Sequence, residues 1–128
     1  MRLLLDTHIA LWAITDSPAL PAEARRLILD SRNEIYVSAA TIWEIAIKYG
    51  LGRGTMPISG RKAADYFDLA GYMTLDISKE HAVYVESLPP HHSDPFDRML
   101  VAQALSEPMR LLTHDRQLAA YSDTVILV

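Results

Sequence analysis

Asp6, Glu44, Asp97 and Asp115 are the acids whose positions suit chemistry. Asp6 ends the apolar run Leu3-Leu4-Leu5, and Asp115 follows Thr113-His114. Asp97 closes the segment Asp94-Pro95-Phe96-Asp97. Glu44 lies among Ile42, Trp43, Ile45, Ala46 and Ile47, a stretch apolar on nearly every side. Such a helix is expected to be mostly buried, so a carboxylate within it should face a cleft or a partner. Each acid also has an ordinary structural role. Asp6 and Asp115 suit N-caps, Asp94 with Pro95 suits a helix start, and Asp97 can reach back as in a capping box. Glu44 and Lys48 stand at the i, i+4 spacing of a surface ion pair. Taken together the four are harder to explain as caps and pairs. Carboxylates at close range repel and do not coexist ionised without a cation. Hard oxygen ligands select Mg²⁺, Mn²⁺ or Ca²⁺ rather than Zn²⁺. Acid-bound metals of this kind suit phosphodiester hydrolysis, since the ion acidifies a bound water and stabilises charge on phosphate oxygens.

The elements that must carry these acids follow from periodicity and punctuation. Leu3 to Leu5 reads as a buried strand, followed by a helix over Thr7 to Ile14. A second helix is expected over Pro21 to Ser31, then a strand over Glu34 to Val37. Ser38 should cap a helix from Ala39 to about Tyr49, with Ile42, Ile45, Ala46 and Tyr49 on one face. The glycine-rich stretch from Gly50 to Gly60 reads as a loop. Further helices are expected over Arg61 to Ala70, after Ser78 to about Leu88, from Asp94-Pro95 to about Leu105, and over Asp115 to Ala120. Strands are expected over Tyr72 to Ile77, Arg110 to Thr113 and Val125 to Val128. Strands alternating with helices imply an α/β fold, a mainly parallel central sheet with helices on both faces. Ligands bind such sheets outside the carboxyl ends of the strands. Asp6 and Asp115 fall just beyond such ends, Asp97 in a helix entered from the same kind of junction, and Glu44 two turns into a helix after a strand.

The 128 residues fit one domain. Half of them are hydrophobic, ample for a core, yet no stretch nears the ~18 apolar residues of a membrane span. Asp6 and His8 interrupt the apolar start before it resembles a signal peptide, and there is no cysteine, so a cytoplasmic protein is expected. The net charge of −4 has the wrong sign for a protein that binds nucleic acid through a basic surface, unless its acids gather where metal neutralises them.

Four segments, taken in order, resemble one family. They are Leu-Leu-Leu-Asp-Thr-His, Ser-Ala-Ala-Thr-Ile-Trp-Glu-Ile-Ala-Ile-Lys, Asp-Pro-Phe-Asp-Arg-Met-Leu-Val-Ala-Gln-Ala and Leu-Leu-Thr-His-Asp. The chain is similar over its whole length to PIN-domain proteins, and within them to VapC-type toxins of toxin–antitoxin pairs. The resemblance implies a PIN-like three-layer sandwich formed by residues 1–128 as a single domain. It implies an acidic quartet of Asp6, Glu44, Asp97 and Asp115, with Asp6 and Asp97 as the principal Mg²⁺ or Mn²⁺ ligands. Glu44 would bind metal or orient the attacking water, Asp115 would complete the site, and Thr7 and Thr113 would support it through their hydroxyls. It further implies endonucleolytic cleavage of RNA leaving a 5′-phosphate and a 3′-hydroxyl, a homodimer, and a VapB-like antitoxin. The competing function is a catalytically silent PIN-fold module that acts through a protein partner.

Other chemistry-bearing residues carry less. His91 and His92 lack a third ligand at zinc spacing. His8 and His114 lie near the expected cleft as substrate contacts or packing residues, and Arg98 as a phosphate contact or a surface residue. Lys48, Arg53, Arg61 and Lys62 form either a solvated patch or a phosphate track. Trp12, Trp43, Tyr49 and Leu51 are expected mostly in the core, with a partner groove as the alternative. A dehalogenase-type phosphatase needs Asp-x-Asp after the first strand, where this chain has Asp6-Thr7-His8. No glycine-rich phosphate loop is present.

Overall fold

The computed structural model describes residues 1–52 and 56–128. Five strands build one sheet: β1 (Arg2–Leu5), β2 (Glu34–Ser38), β3 (Met73–Leu75), β4 (Arg110–Thr113) and β5 (Ile126–Leu127). Their order is β3-β2-β1-β4-β5 and every pairing is parallel. The helices between them are α1 (Thr7–Ile14), α2 (Ala22–Leu29), α3 (Ala39–Gly50), α4 (Gly60–Leu69), α5 (Lys79–Tyr84), α6 (Pro95–Ser106) and α7 (Arg116–Ala119).

Side chains of β1 alternate between two cores, as the pleat requires. Leu3 and Leu5 join Ile9, Ala24, Leu27, Ile45 and Phe67 on one face, while Leu4 joins Leu100, Val101, Ala104, Leu111 and Leu118 on the other. A central sheet therefore lies between two helical layers, the three-layer α/β sandwich expected from the alternation of elements. Successive strands run outward from β1 to β3, then cross back to β4 on the far side of β1. That reversal opens a crevice at the carboxyl ends of β1 and β4. The register pairs Leu5 with Leu112, so Asp6 emerges next to Thr113, and its N–H donates to the Leu112 carbonyl at 3.0 Å.

Several boundaries differ from those expected. Pro21 precedes α2, and the helix stops at Leu29. Ser59 caps α4, which begins at Gly60, so the end of the expected loop already belongs to a helix. An added Cβ at Gly60 would lie 2.8 Å from the Ala46 Cβ, and glycine here lets α4 pack directly on α3. The helix after Ser78 ends at Tyr84 and continues only as a 3₁₀ turn over Val85–Ser87. Strand β3 is confined to three residues because it pairs only with β2.

The largest departure concerns α3. An apolar circumference promises burial, yet Trp43 is 58% exposed and Ile47, Tyr49 and Leu51 are exposed as well. These side chains are not core, because no described element covers that face. Trp12, by contrast, is half-buried against the core under α1.

Candidate metal centre at the carboxyl edge of the sheet

The centre is built from four junctions around the β1–β4 crevice. Asp6 ends β1 and caps α1, accepting the Ile9 N–H through Oδ1 at 2.8 Å. Its other oxygen, Oδ2, accepts a short hydrogen bond from the Thr113 hydroxyl at the end of β4. Thr113 Oγ1 in turn accepts the Asp115 N–H at 3.0 Å. One threonine thus ties the first acid to the last across the two central strands. The capping role expected for Asp6 is therefore present, and it holds the carboxylate in place rather than removing it from the crevice.

Glu44 is 4% exposed within α3. Its Oε1 accepts the Thr7 hydroxyl at 2.7 Å, and its Oε2 pairs with Lys48 Nζ at 2.6 Å. Since Thr7 spends its proton on Glu44, the 3.3 Å contact between Thr7 and Thr41 makes Thr41 the donor. The i, i+4 pair with Lys48 is thus real, but its acid is buried and its base half-exposed. Lys48 sits within the field of Asp94 and Asp97, and its bond to Glu44 holds the ammonium charged above its ordinary range.

Asp97 differs from the capping-box expectation. Asp94 makes the cap, accepting from the N–H groups of Phe96 at 2.8 Å and Asp97 at 3.3 Å. The Asp94 N–H goes to His92 Nδ1 at 3.0 Å, so nothing in the cap engages the Asp97 side chain. That carboxyl turns into the crevice, where burial first and then the neighbouring charge of Asp94 push its pKa up to about 7, despite the opposing pull of His92. The charges of Glu44 and Asp6 push the same way. Asp6 is likewise raised, chiefly by burial and in small part by Asp115, against the lowering effect of its bonds to Thr113 and Ile9. The acids therefore feel one another, and the structure gathers all four sequence-derived residues around one crevice.

Asp115 caps α7 through Oδ1, which accepts the Gln117 N–H at 2.9 Å. Its Oδ2 meets His92 Nε2 at 2.9 Å, and that nitrogen is also 3.4 Å from Asp97 Oδ2. His92, Asp97 and Asp115 accordingly have the mutual spacing of a three-ligand metal site. The hydrogen bonds assign the ring a different task. Nδ1 accepts the Asp94 N–H, so Nε2 carries the proton and has no lone pair for a metal. His92 is a donor that orients two carboxylates, in the manner of groups that position metal ligands from behind.

His92 is the residue that sequence reasoning set aside. The ring serves two carboxylates, Asp97 in the first turn of α6 and Asp115 at the N-cap of α7, rather than a zinc ion. Its adjacency to the Asp94-Pro95-Phe96-Asp97 cap was the available signal. Arg98 accounts for the loop that presents it. Its guanidinium donates to the carbonyls of Pro89, His92, Val85 and Leu88 and to the Tyr121 hydroxyl, at 3.0 to 3.4 Å. Occupied in this way, Arg98 is a loop anchor rather than a phosphate contact. The basic track is also depleted: Lys48 pairs with Glu44 and Arg61 with Asp65, while Arg53 lies outside the described residues.

The donor chemistry fits a divalent cation. Four carboxylates gather around the crevice, and two of them, Asp6 and Asp97, hold protons more tightly than usual, chiefly because they are buried and in part because neighbouring carboxylates repel them. All the oxygens are hard ligands, as Mg²⁺ and Mn²⁺ require.

Residues 3–123 match the PIN domain family, and the chain belongs to it. Several solved structures of similar fold are VapBC proteins. VapBC2 from Rickettsia felis, solved with a fragment of promoter DNA, aligns with TM-score 0.70 and 21% identity over 100% of this chain and 98% of that one. DNA-bound VapBC from Salmonella typhimurium gives 0.70 and 18% over 100% and 97%. VapBC-5 from Mycobacterium tuberculosis gives 0.62 and 18% over 99% and 97%. At these identities the likeness is one of fold. No curated protein matches the sequence.

Proposed function

We propose that residues 1–128 act as one domain, a divalent-metal-dependent endoribonuclease of the VapC type. The observation that carries this is the meeting of Asp6, Glu44, Asp97 and Asp115 at the strand-order reversal of a PIN sheet. Asp6 and Asp97 would hold Mg²⁺ or Mn²⁺, with Asp115 completing the set. When bound, the ion supplies Lewis acidity to the phosphate and lowers the pKa of water. The remaining work belongs to the chain. Thr113 fixes the Asp6 carboxylate, and His92 aligns Asp97 with Asp115. Thr7 and Lys48 hold Glu44 as an oriented anion, suited to positioning a water for attack.

The fold relatives are toxin–antitoxin complexes, which supports a VapB-like antitoxin as partner. The partner surface would be the face of α3 that no described residue covers. Trp43 meets Phe96 edge-to-face at 5.2 Å there, beside a groove of about 380 Å³ lined in part by Ala40, Val85, Pro95 and Met99. An apolar antitoxin segment would occupy it, and an Arg from that segment would enter the acid pocket in place of metal. We further propose a homodimer in the cytoplasm.

The test is cleavage of single-stranded RNA by the purified chain. Activity should need Mg²⁺ or Mn²⁺, stop in EDTA, and leave 5′-phosphate ends. Undiminished cleavage in EDTA by a preparation free of other nucleases overturns the mechanism. Metal binding without any cleavage favours the silent module.

A further inference from the structure

The Asp6–Asp115 side of the crevice continues into a cavity of about 430 Å³ whose other walls are His8, Trp12, His114 and Arg116. None of these four residues has a part in holding the acids. His8 and Trp12 stand one turn apart on α1, their ring centroids 5.7 Å apart and tilted by 41°. The Trp12 and His114 rings meet edge-to-face at 5.8 Å. The wall is rigid. Trp12 is anchored in the core at its base, and His114 Nδ1 is hydrogen-bonded to the backbone oxygen of Val128. It is also open, since His8 and His114 are exposed and Trp12 is only half-buried. Arg116 is exposed at the rim and makes no ion pair among the described residues.

Three aromatic rings share one cavity with two of the acids of the proposed metal centre. Unpaired bases bind proteins by stacking on aromatic side chains, while their phosphates are met by cations. We propose that His8, Trp12 and His114 form a stacking subsite for an unpaired nucleobase flanking the scissile phosphate, with Arg116 on the adjoining phosphate. This rests on the ribonuclease function proposed above and adds to it a preference for single-stranded, base-bearing substrate on the Asp115 side. An aliphatic partner segment fits less well, because nitrogen-bearing rings and a guanidinium rim the cavity.

Trp12 and Trp43 are the two tryptophans, so Trp43→Phe leaves Trp12 as the sole indole reporter. The probe is a single-stranded RNA decamer in Ca²⁺, under conditions where a gel shows no turnover. Binding should quench Trp12 emission. A scan of single abasic positions should find one whose loss abolishes the quench and weakens binding about 5- to 100-fold. Trp12→Phe should bind within a few-fold of the parent, and Trp12→Leu should show the abasic-like loss. If Trp12→Leu does not fold, the abasic scan on the unaltered chain decides alone. Normal RNA binding and cleavage with a flat scan and steady emission overturns the subsite and leaves the ribonuclease standing. Absence of both RNA binding and cleavage overturns the two together.

Discussion

Asp97→Asn separates a metal ligand from a capping residue, because Asn caps about as well as Asp and would leave a cap's stability nearly unchanged, whereas at a metal site it removes a buried charge. Burial and the charges of Asp94, Glu44 and Asp6 lift this carboxyl from 3.8 to about 7. Between about pH 4 and pH 7 the folded protein keeps a proton that the unfolded chain has lost. Stability therefore falls as pH rises through that window and stays low above it. A displacement of about three units, at roughly 1.4 kcal/mol each, sets a ceiling of ~4 kcal/mol. The side chain is 22% exposed, and solvent screening reduces the expected effect to ~1–3 kcal/mol. Asn removes the charge, keeps the shape, and leaves the Asp94 cap intact. In EDTA at pH 8, Asp97→Asn should melt above wild type, by about 3–5 °C for each kcal/mol in a chain of this size. The gap should shrink as pH is lowered toward 4. In saturating Mg²⁺ it should close or reverse, since the wild type alone gains full stabilisation from the ion. Cleavage by the variant should fall by more than the ~10–100-fold typical of a group that only positions a ligand. Thermal melts with and without Mg²⁺ read all of this. A variant no more stable than wild type in EDTA, with the same response to Mg²⁺, would refute the reasoning.

Other substitutions test the neighbouring groups. Glu44→Gln should lower the cleavage rate by about 10²–10⁴-fold, as for loss of a positioned base, whereas Lys48→Met should cost far less; equal losses would mean that the ion pair itself is what matters. His92→Ala should weaken Mg²⁺ binding by about 10–100-fold in calorimetry, since its ring orients Asp97 and Asp115. Pulsed EPR of the Mn²⁺-loaded wild type should show no directly bound nitrogen, and a strong nitrogen coupling would make His92 a ligand after all. Arg98→Lys should destabilise the fold by about 1–3 kcal/mol in urea titration, because one ammonium cannot serve the carbonyls that the guanidinium fork joins. No loss of stability would show that those bonds do not hold the loop.

Much of the centre was legible because its acids sit at positions that strand–helix alternation makes conspicuous. Leu3-Leu4-Leu5-Asp6 and Leu111-Leu112-Thr113 announce buried strands ending in polar groups, and the parallel register then sets Asp6 beside Thr113. Asp94-Pro95 announces a helix start, which leaves Asp97 to be assigned. Local pattern alone could not assign it, since the capping box was equally compatible and only the His92 contact to the Asp94 N–H shows which group the cap uses. The roles of His92 and Arg98 were illegible for the same reason. Both depend on where a loop over residues 89–93 returns against α6 and Tyr121, and such a return leaves no periodic trace. The exposure of Trp43, Ile47 and Tyr49 departs from expectation because an apolar helix announces burial without saying in what, and among the described residues nothing covers that face.

The claim on which everything else depends is that Asp6 and Asp97 share a divalent ion. Diffraction from crystals soaked in Mn²⁺, recorded at the manganese absorption edge, tests it directly. An anomalous peak should lie within about 2.1–2.2 Å of one carboxylate oxygen from each of Asp6 and Asp97, with Asp115 and Glu44 reached directly or through water, and it should vanish in Asp97→Asn. A peak bound elsewhere, or no peak in this crevice at millimolar Mn²⁺, would contradict it.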